Sequence, residues 1–482
     1  MMPHHPDEAL LGKLETLLGA EGFTKDPTVM ASFLEDWRGK LRGNAAALLS
    51  PATKEDVVAI MKLAYEAGVP VVPQGGNSST VGGATPSKEG NALLLSTRRL
   101  NAIRSISPEE SCATVEAGVI LSALHEAADK HNLRFPLNIA SKDMATVGGL
   151  ISTNAGGSHV LRFGPMRASV LGIEAVFPDG SLLENILPLR KDNQGYDLRQ
   201  LLAGAEGTLG VITAASLRLM PKPRLRTVMW VGVASPSAAL TLLRRLEKES
   251  GEAVEVFELM ESSLIDLVLK HIPDTQLPTE KEYPWYVLIE ATAITEGFDL
   301  ETAMINILAD ATEAEEILEA VVAQNETQAC KLWKLRETIP LAERTEGFAV
   351  KHDISVPVGA MPSFIENESI AIEKRFAGCT VLTFGHLGDG NVHFNVCPPK
   401  DIPNQLEWVE KDGIEVSRFV YERVMAVGGA ISAEHGIGQT KLADFMQFGN
   451  KTKIKALKAI KKALDPHAIM NPGKLLPVDS AD

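Results

Sequence analysis

Apolar and polar positions follow two different periods along this chain. Over residues 51–68, Val57, Ile60, Met61 and Ala64 recur at helical spacing, Thr53 can cap the start with Asp56 three residues on, and Gly68 follows the last apolar position. The pattern predicts a helix there, followed by a strand over 69–72. Pro221-Lys222-Pro223 reads as a boundary. Beyond it the pattern predicts a strand over 228–233, a helix over 238–248 and a strand over 254–259, then a strand over 286–291, a helix over 300–309 and a strand over 317–322. Two successive strand-helix-strand units predict an antiparallel sheet covered by helices on one face. A third unit, from Asp353 to a hairpin at His386, extends it.

That hairpin is the most informative stretch. In His386-Leu387-Gly388-Asp389-Gly390-Asn391-Val392-His393, Asp-Gly between apolar runs predicts a two-residue loop. The facing pairs are then Gly388 with Asn391, Leu387 with Val392, and His386 with His393. Directly opposed residues share a face, so both imidazoles point the same way, and Asn395 lies on that face too. Such a pair is a natural chelate for a divalent transition metal. Glu434 and His435, in Ser-Ala-Glu-His-Gly, can complete the coordination sphere.

Three glycine-rich segments suggest a flat, phosphorylated ligand. The predicted strand over 69–72 runs into Pro73-Gln74-Gly75-Gly76-Asn77-Ser78-Ser79-Thr80-Val81-Gly82-Gly83, whose glycines admit close backbone approach and whose hydroxyls and amide can donate to phosphate. Residues 136–165 carry Thr146-Val147-Gly148-Gly149 and Ser152-Thr153-Asn154-Ala155-Gly156-Gly157, and Gly204-Ala205-Glu206-Gly207-Thr208-Leu209-Gly210-Val211-Ile212 adds a third block. No Gly-x-Gly-x-x-Gly opens a helix after a strand, so a nicotinamide-binding Rossmann unit is not supported.

Composition narrows the partners. A chain of 482 residues that is 45% hydrophobic can bury more than one core, and two or three domains are expected. With 62 acidic against 47 basic residues the net charge is -15, which repels a phosphate backbone and makes nucleic acid an unsuitable partner. Cys112, Cys330, Cys379 and Cys397 are far apart and form no Cys-x-x-Cys; they read as buried thiols in a reducing compartment. The first eight residues lack a basic region followed by an apolar core, so no secretory signal is expected. The least charged stretches, 144–161 and 227–243, are too interrupted by Gly, Ser, Thr, Asn or Pro to span a bilayer. A cytoplasmic location is expected, with peripheral membrane contact left open because an electron-transfer partner could sit there.

Taken in order, Pro-Gln-Gly-Gly-Asn, Thr-Val-Gly-Gly with Asn-Ala-Gly-Gly, Gly-Thr-Leu-Gly-Val-Ile, Gly-His-Leu-Gly-Asp-Gly-Asn-Val-His, Ala-Glu-His-Gly-Ile-Gly and Asn471-Pro472-Gly473-Lys474 resemble FAD-linked oxidoreductases of the vanillyl-alcohol oxidase type, from about residue 40 to 476. Within that superfamily the chain is most similar to D-2-hydroxyacid dehydrogenases acting on D-lactate, glycolate or D-2-hydroxyglutarate. The resemblance implies an α+β protein with a two-lobed FAD-binding domain over 1–223, a substrate or cap domain over 224–430 carrying the hairpin, and a segment over 431–482 that returns to the FAD domain.

The resemblance also assigns roles. Pro73, Gln74, Gly75, Gly76, Asn77, Ser78 and Thr80 would hold the pyrophosphate; Pro136, Ser141, Thr146, Gly148, Gly149, Thr153, Asn154 and Gly156, with Glu206, Gly207 and Ile212, would line the adenosine and flavin ends, and Asn471 belongs to the same set. The loop over 76–80 offers neither His nor Cys for covalent attachment, so dissociable FAD is implied. His386, His393 and Glu434 would ligate a metal, with zinc favoured over manganese or iron. Arg336 and Lys351 match positions that grip the distal carboxylate of D-2-hydroxyglutarate, Asn395 would orient substrate, and His435 would be the general base. Pro340 departs from a hydroxyl residue in the hydroxyglutarate enzymes, which keeps D-malate, D-lactate and glycolate as alternatives. The implied electron acceptor is an electron-transfer flavoprotein or a quinone. A flavin-binding electron-transfer subunit is the rival class, and oligomeric state, a homodimer included, is left open.

Overall fold

Thr53 accepts a hydrogen bond from the Asp56 amide at 3.1 Å while the Asp56 carboxylate accepts from the Thr53 amide at 3.0 Å, closing a capping box at the start of α1 (Lys54–Ala67). Gly68, left-handed at φ 65°, ends the helix, and β1 (Val71–Gln74) follows. The computed structural model describes residues 4–295 and 297–478. The described residues form two units: 4–156 with 164–222 and 434–478, and 157–163 with 223–295 and 297–433.

In the first unit, β1 lies at one edge of a four-stranded sheet, beside Leu93–Ser96, Ala47–Leu49 and Phe23–Thr24. A second, five-stranded sheet is antiparallel and centred on β2 (Val211–Arg218). Between them in sequence, α2 (Val147–Thr153) packs Val147, Leu150 and Ile151 into the core of the second sheet. The last segment returns to β1: Met470 bridges Val71, and the Asn471 amide donates to Val71 O at 2.8 Å.

In the second unit, β3 (Leu225–Val233), α3 (Pro236–Glu249), β4 (Val254–Glu261), α4 (Ser262–His271), β5 (Trp285–Ala293), α5 (Leu300–Glu313) and β6 (Glu319–Val322) contain the two expected strand-helix-strand repeats. Then come α6 (Glu326–Glu337), α7 (Ile339–Glu346), β7 (Val350–Ser355), α8 (Met361–Arg375), β8 (Thr380–His386), β9 (Asn391–Cys397) and α9 (Gly413–Ala426). The strands form one seven-stranded sheet in the order β6-β3-β5-β4-β8-β9-β7, antiparallel throughout.

Helices cover both faces of this sheet, which corrects the expectation of one. Leu264 and Val268 of α4, Leu332 of α6 and Ile339 of α7 pack on Val228, Trp230, Met260 and Phe384. On the opposite face Phe364 of α8 meets Phe394 of β9 at 5.8 Å between ring centroids, and His352 Nε2 lies 3.1 Å from Ser417 Oγ of α9. The reason is visible in β3, where every residue from Thr227 to Val233 is buried. A sheet with one wet face would alternate; a consecutive apolar run needs cover on both sides. A second correction concerns the thiols, since Cys330 on α6 is exposed.

The hairpin register also differs from expectation. His386 pairs with Asn391, and Phe384 pairs with His393, so residues 387–390 form a four-residue loop rather than Asp389-Gly390 alone. Leu387 is fully buried and its amide donates to Phe257 O of β4 at 3.2 Å, which takes it off the hairpin ladder. The loop closes on a turn in which His386 O accepts from the amides of Asp389 at 3.3 Å and Gly390 at 3.1 Å. The two histidines are therefore diagonal neighbours, still on one face, with ring centroids 6.2 Å apart.

Gly390 sits at φ 80°, and a Cβ there would lie 2.1 Å from Val356 O. Gly390→Ala is expected to destabilise the second unit by about 1–3 kcal/mol, measured as a lowered denaturation midpoint; an unchanged midpoint would contradict this turn geometry.

Candidate active site

The capping of α1 and the parallel pairing of β1 with Leu93–Ser96 deliver the first glycine-rich loop to the wall of a cleft of about 360 Å³ in the first unit. The loop is pressed against the 144–149 backbone. A Cβ on Gly75 would lie 2.2 Å from Thr146 Oγ1, and one on Gly76 would lie 1.9 Å from Met144 O. Only glycine allows this approach. Arg98, which sequence reading missed, pins the same loop from behind by donating from Nε to Gly75 O and from a terminal nitrogen to Gly76 O, both at 3.2 Å.

All the residues expected to bind the cofactor line this cleft except Pro136, Asn154 and Asn471. Pro136 is buried. Asn154 caps α2 in a left-handed conformation and accepts the Arg167 amide at 3.0 Å. Asn471 donates to Gly83 O at 2.9 Å and Glu206 O at 2.8 Å, joining two of the glycine-rich segments. Two of the lining residues also spend their polar groups on bracing: the Asn77 amide donates to Glu35 O at 2.8 Å, and the Gln74 amide to Phe33 O and Ala84 O, each at 2.9 Å. Ile139 and Ser152, from the second glycine-rich block, line the cleft as well, and so does Trp37, which lies outside all three glycine-rich segments.

Three buried acceptors in the lining, Gln74 Oε1, Thr80 Oγ1 and Thr146 Oγ1, have no hydrogen-bond partner within the protein. Buried polar atoms are almost always satisfied, so a ligand rich in hydroxyl, amide or imide groups fits here. Together with the glycine cradle and a volume in the range of cofactor sites, this suits FAD.

Glu206 closes the opposite wall. Its carboxylate accepts from the amides of Ile437 at 2.8 Å and Gly438 at 2.7 Å. Burial pushes its carboxyl above the usual range against those bonds, and burial also lowers the neighbouring Lys474 ammonium to about 8. The tie brings the Ala-Glu-His-Gly segment to the cleft, where Glu434 and His435 are both lining residues.

In the second unit the hairpin face carries His386, His393 and Asn395, with Lys351 paired to Asn395 across β7 and β9. Two buried carboxylates that sequence reading missed organise it. Glu258 on β4 pairs in register with His386; its Oε1 lies 2.6 Å from His386 Nδ1 and its Oε2 accepts from Arg336 Nε at 2.8 Å. Burial opposes its ionisation, yet the charges of Arg336 and His386 and their hydrogen bonds hold its carboxyl down to about 2. Glu343 on α7 accepts from Lys351 Nζ at 3.0 Å and from the Asn395 amide at 2.7 Å. Arg336 and Lys351 are thus each held by one buried glutamate. Pro340 occupies the first turn of α7, where a missing amide is tolerated.

A His386 ring that donates Nδ1–H to Glu258 presents Nε2 as the ligating atom, and the Phe384 ring packs against His393 with centroids 4.6 Å apart and planes tilted by 32°. The donor set suits a divalent metal.

The model for an FAD binding domain matches residues 45–185, and that for the C-terminal domain of FAD linked oxidases matches residues 222–475. The chain is 34% identical to a D-2-hydroxyglutarate–pyruvate transhydrogenase of Saccharomyces cerevisiae over 93% of its own length and 90% of that protein's. It is also 34% identical to a mitochondrial D-2-hydroxyglutarate dehydrogenase of Danio rerio, over 94% and 82% of the two chains. Among solved structures, p-cresol methylhydroxylase superposes with a TM-score of 0.73 at 16% identity, covering 97% of this chain and 96% of that one, which bears on the fold. Matches of this extent, on a fold whose glycine-lined cleft leaves buried acceptors for a bound ligand, establish that the chain belongs to the FAD-linked oxidases and is an FAD-dependent oxidoreductase.

Proposed function

We propose that this protein oxidises a D-2-hydroxyacid, foremost D-2-hydroxyglutarate, to the corresponding 2-oxoacid, with assistance from a divalent metal held by His386, His393 and Glu434. The observation that carries this reading is the convergence of two imidazoles, Asn395 and two glutamate-held cations, Arg336 and Lys351, on one sheet face. A substrate with a hydroxyl and carboxylate at one end and a second carboxylate at the other matches that distribution of charge.

FAD, bound without a covalent link, would supply an acceptor for hydride from C2 at its N5, and zinc would supply Lewis acidity toward the 2-hydroxyl. The residues do the rest. Arg336 grips the distal carboxylate through the end of its guanidinium that Glu258 does not use, and Lys351 adds a point charge beside it. Asn395, oriented by Glu343, aligns the substrate. His435 accepts the hydroxyl proton on its imidazole, a role supported by its place in the lining of the flavin cleft. Pro340 and a D-lactate dehydrogenase name among the relatives, a putative one of Schizosaccharomyces pombe, favour shorter D-2-hydroxyacids as the second reading.

Among the described residues no helix is long and apolar enough to cross a membrane. We place the protein in the cytoplasm, where four cysteines without a disulfide are at home, although the zebrafish relative is named as mitochondrial. Its electron acceptor in this reading is an electron-transfer flavoprotein or a quinone.

Anaerobic mixing with a panel of D- and L-2-hydroxyacids tests the substrate. D-2-hydroxyglutarate is expected to bleach the flavin absorbance fastest and the L-acids not at all; bleaching by none of the panel would sink the reading. His435→Ala should keep its flavin while substrate reduces it at least about 100-fold more slowly, and an unchanged rate would remove His435 from the role of base. Dialysis against a chelator should abolish turnover until zinc is restored, whereas full activity in a verified metal-free sample would exclude the metal.

A further inference from the structure

Of the charged groups buried in the second unit, Glu258 occupies the most consequential position. It is 1% exposed and stands opposite His386 in the β4–β8 register. Each carboxylate oxygen serves a different partner: Oε1 meets His386 Nδ1 at 2.6 Å, and Oε2 takes the Arg336 Nε proton at 2.8 Å. The chain of contacts continues beyond the carboxylate. The Arg336 guanidinium carbon lies 4.8 Å from the centroid of the Phe384 ring, and that ring meets His393 at 4.6 Å between centroids, the planes tilted by 32°. With the His386–His393 contact at 6.2 Å the contacts form a closed loop: imidazole, carboxylate, guanidinium, aromatic ring, imidazole.

We infer that Glu258 is a positioning residue that sets His386 and Arg336 relative to each other, so that one buried carboxylate governs both the metal-side imidazole and the reading of a substrate's second carboxylate. The inference rests on the 2-hydroxyacid function proposed above and extends it. Its physical basis is geometric. A guanidinium whose Nε is committed to Glu258 has one remaining edge, the pair of terminal nitrogens, and that edge is the fork that binds a carboxylate through two parallel hydrogen bonds. An imidazole whose Nδ1 is committed presents Nε2 in a fixed direction. Neither constraint survives without an acceptor at each oxygen of Glu258.

Two substitutions separate this from a merely structural role. In Glu258→Gln the side chain keeps its shape and can still accept from His386 through its carbonyl oxygen, but its amide then faces Arg336 Nε, donor against donor. In Glu258→Ala both bonds are lost. Zinc affinity of the flavin-loaded, full-length protein is read by competition with a chromophoric chelator, and KM and kcat are read separately for D-2-hydroxyglutarate and D-lactate with a dye acceptor.

Glu258→Gln is expected to hold zinc within about threefold of the native protein. Its KM for D-2-hydroxyglutarate should rise by at least about tenfold at nearly unchanged kcat, and its KM for D-lactate should barely move. Glu258→Ala should in addition lose about 10- to 100-fold in zinc affinity. Native zinc affinity in Glu258→Ala together with a native dicarboxylate KM in Glu258→Gln overturns the inference. So does a loss that is equal for both acids and follows flavin content and melting midpoint. Should Glu258→Ala fail to fold, the isosteric Glu258→Gln decides through the split between the two acids. If the native protein reduces its flavin with neither acid, the 2-hydroxyacid reading falls, and the zinc competition still decides whether Glu258 positions His386.

Discussion

A carboxylate taken out of water must be met by charge or by hydrogen bonds, and this protein buries several at the points where distant parts of its chain have to be held. Glu174 is 2% exposed and accepts two bonds from Arg104, at 3.1 and 3.0 Å, and one from Thr213 at 2.9 Å. Burial works against its ionisation, but these donors and Lys54, the first residue of α1, keep its carboxyl below the usual range. Glu206 is met by two backbone amides, Glu343 by a lysine and an asparagine, and Glu258 by a histidine and an arginine. Removing one partner of such a group leaves an uncompensated charge, at a cost of about 3–5 kcal/mol, so each fixes its neighbours firmly.

The chemistry this permits differs between the two units. In the first, the cleft is shaped by close-packed backbone, with glycines that cannot become alanine without collision, and by a few buried side-chain acceptors that no protein group satisfies. In the second, the organising groups are side chains on a sheet covered from both sides, where strand register decides which residues share a face. The first arrangement suits a large cofactor held along its length. The second suits a small acid read at both ends.

How much of this was legible in the sequence follows from how local each feature is. Thr53, Asp56 and Gly68 are a helix's own signals within one short segment, and the structure reproduces them. The order of strands and helices after Pro223 was legible for the same reason. The hairpin register was not, because Asp389-Gly390 says where a turn closes but not that Leu387 would be drawn off the ladder toward β4. The second helical layer was legible in principle: the unbroken apolar run of β3 argued for cover on both faces. Glu258, Glu343 and Arg98 carry no motif of their own. Glu258 meets His386 across 128 residues of chain, Glu343 meets Asn395 across 52, and Arg98 reaches back 23 to Gly75, so only the fold brings them into view.

The final segment carries a consequence for how the protein is made. Because Asn471 spans Gly83 and Glu206, Met470 bridges Val71, and Glu206 is tied to Ile437 and Gly438, the walls around the cleft are joined by residues that are synthesised after the second unit. The second unit, apart from residues 157–163, is encoded between Pro223 and Ala433 and can consolidate its sheet during synthesis. The first unit must wait with its glycine-rich loops made and its keystone missing. Cofactor capture is thereby deferred until residues 437–471 have been made and have returned to those loops.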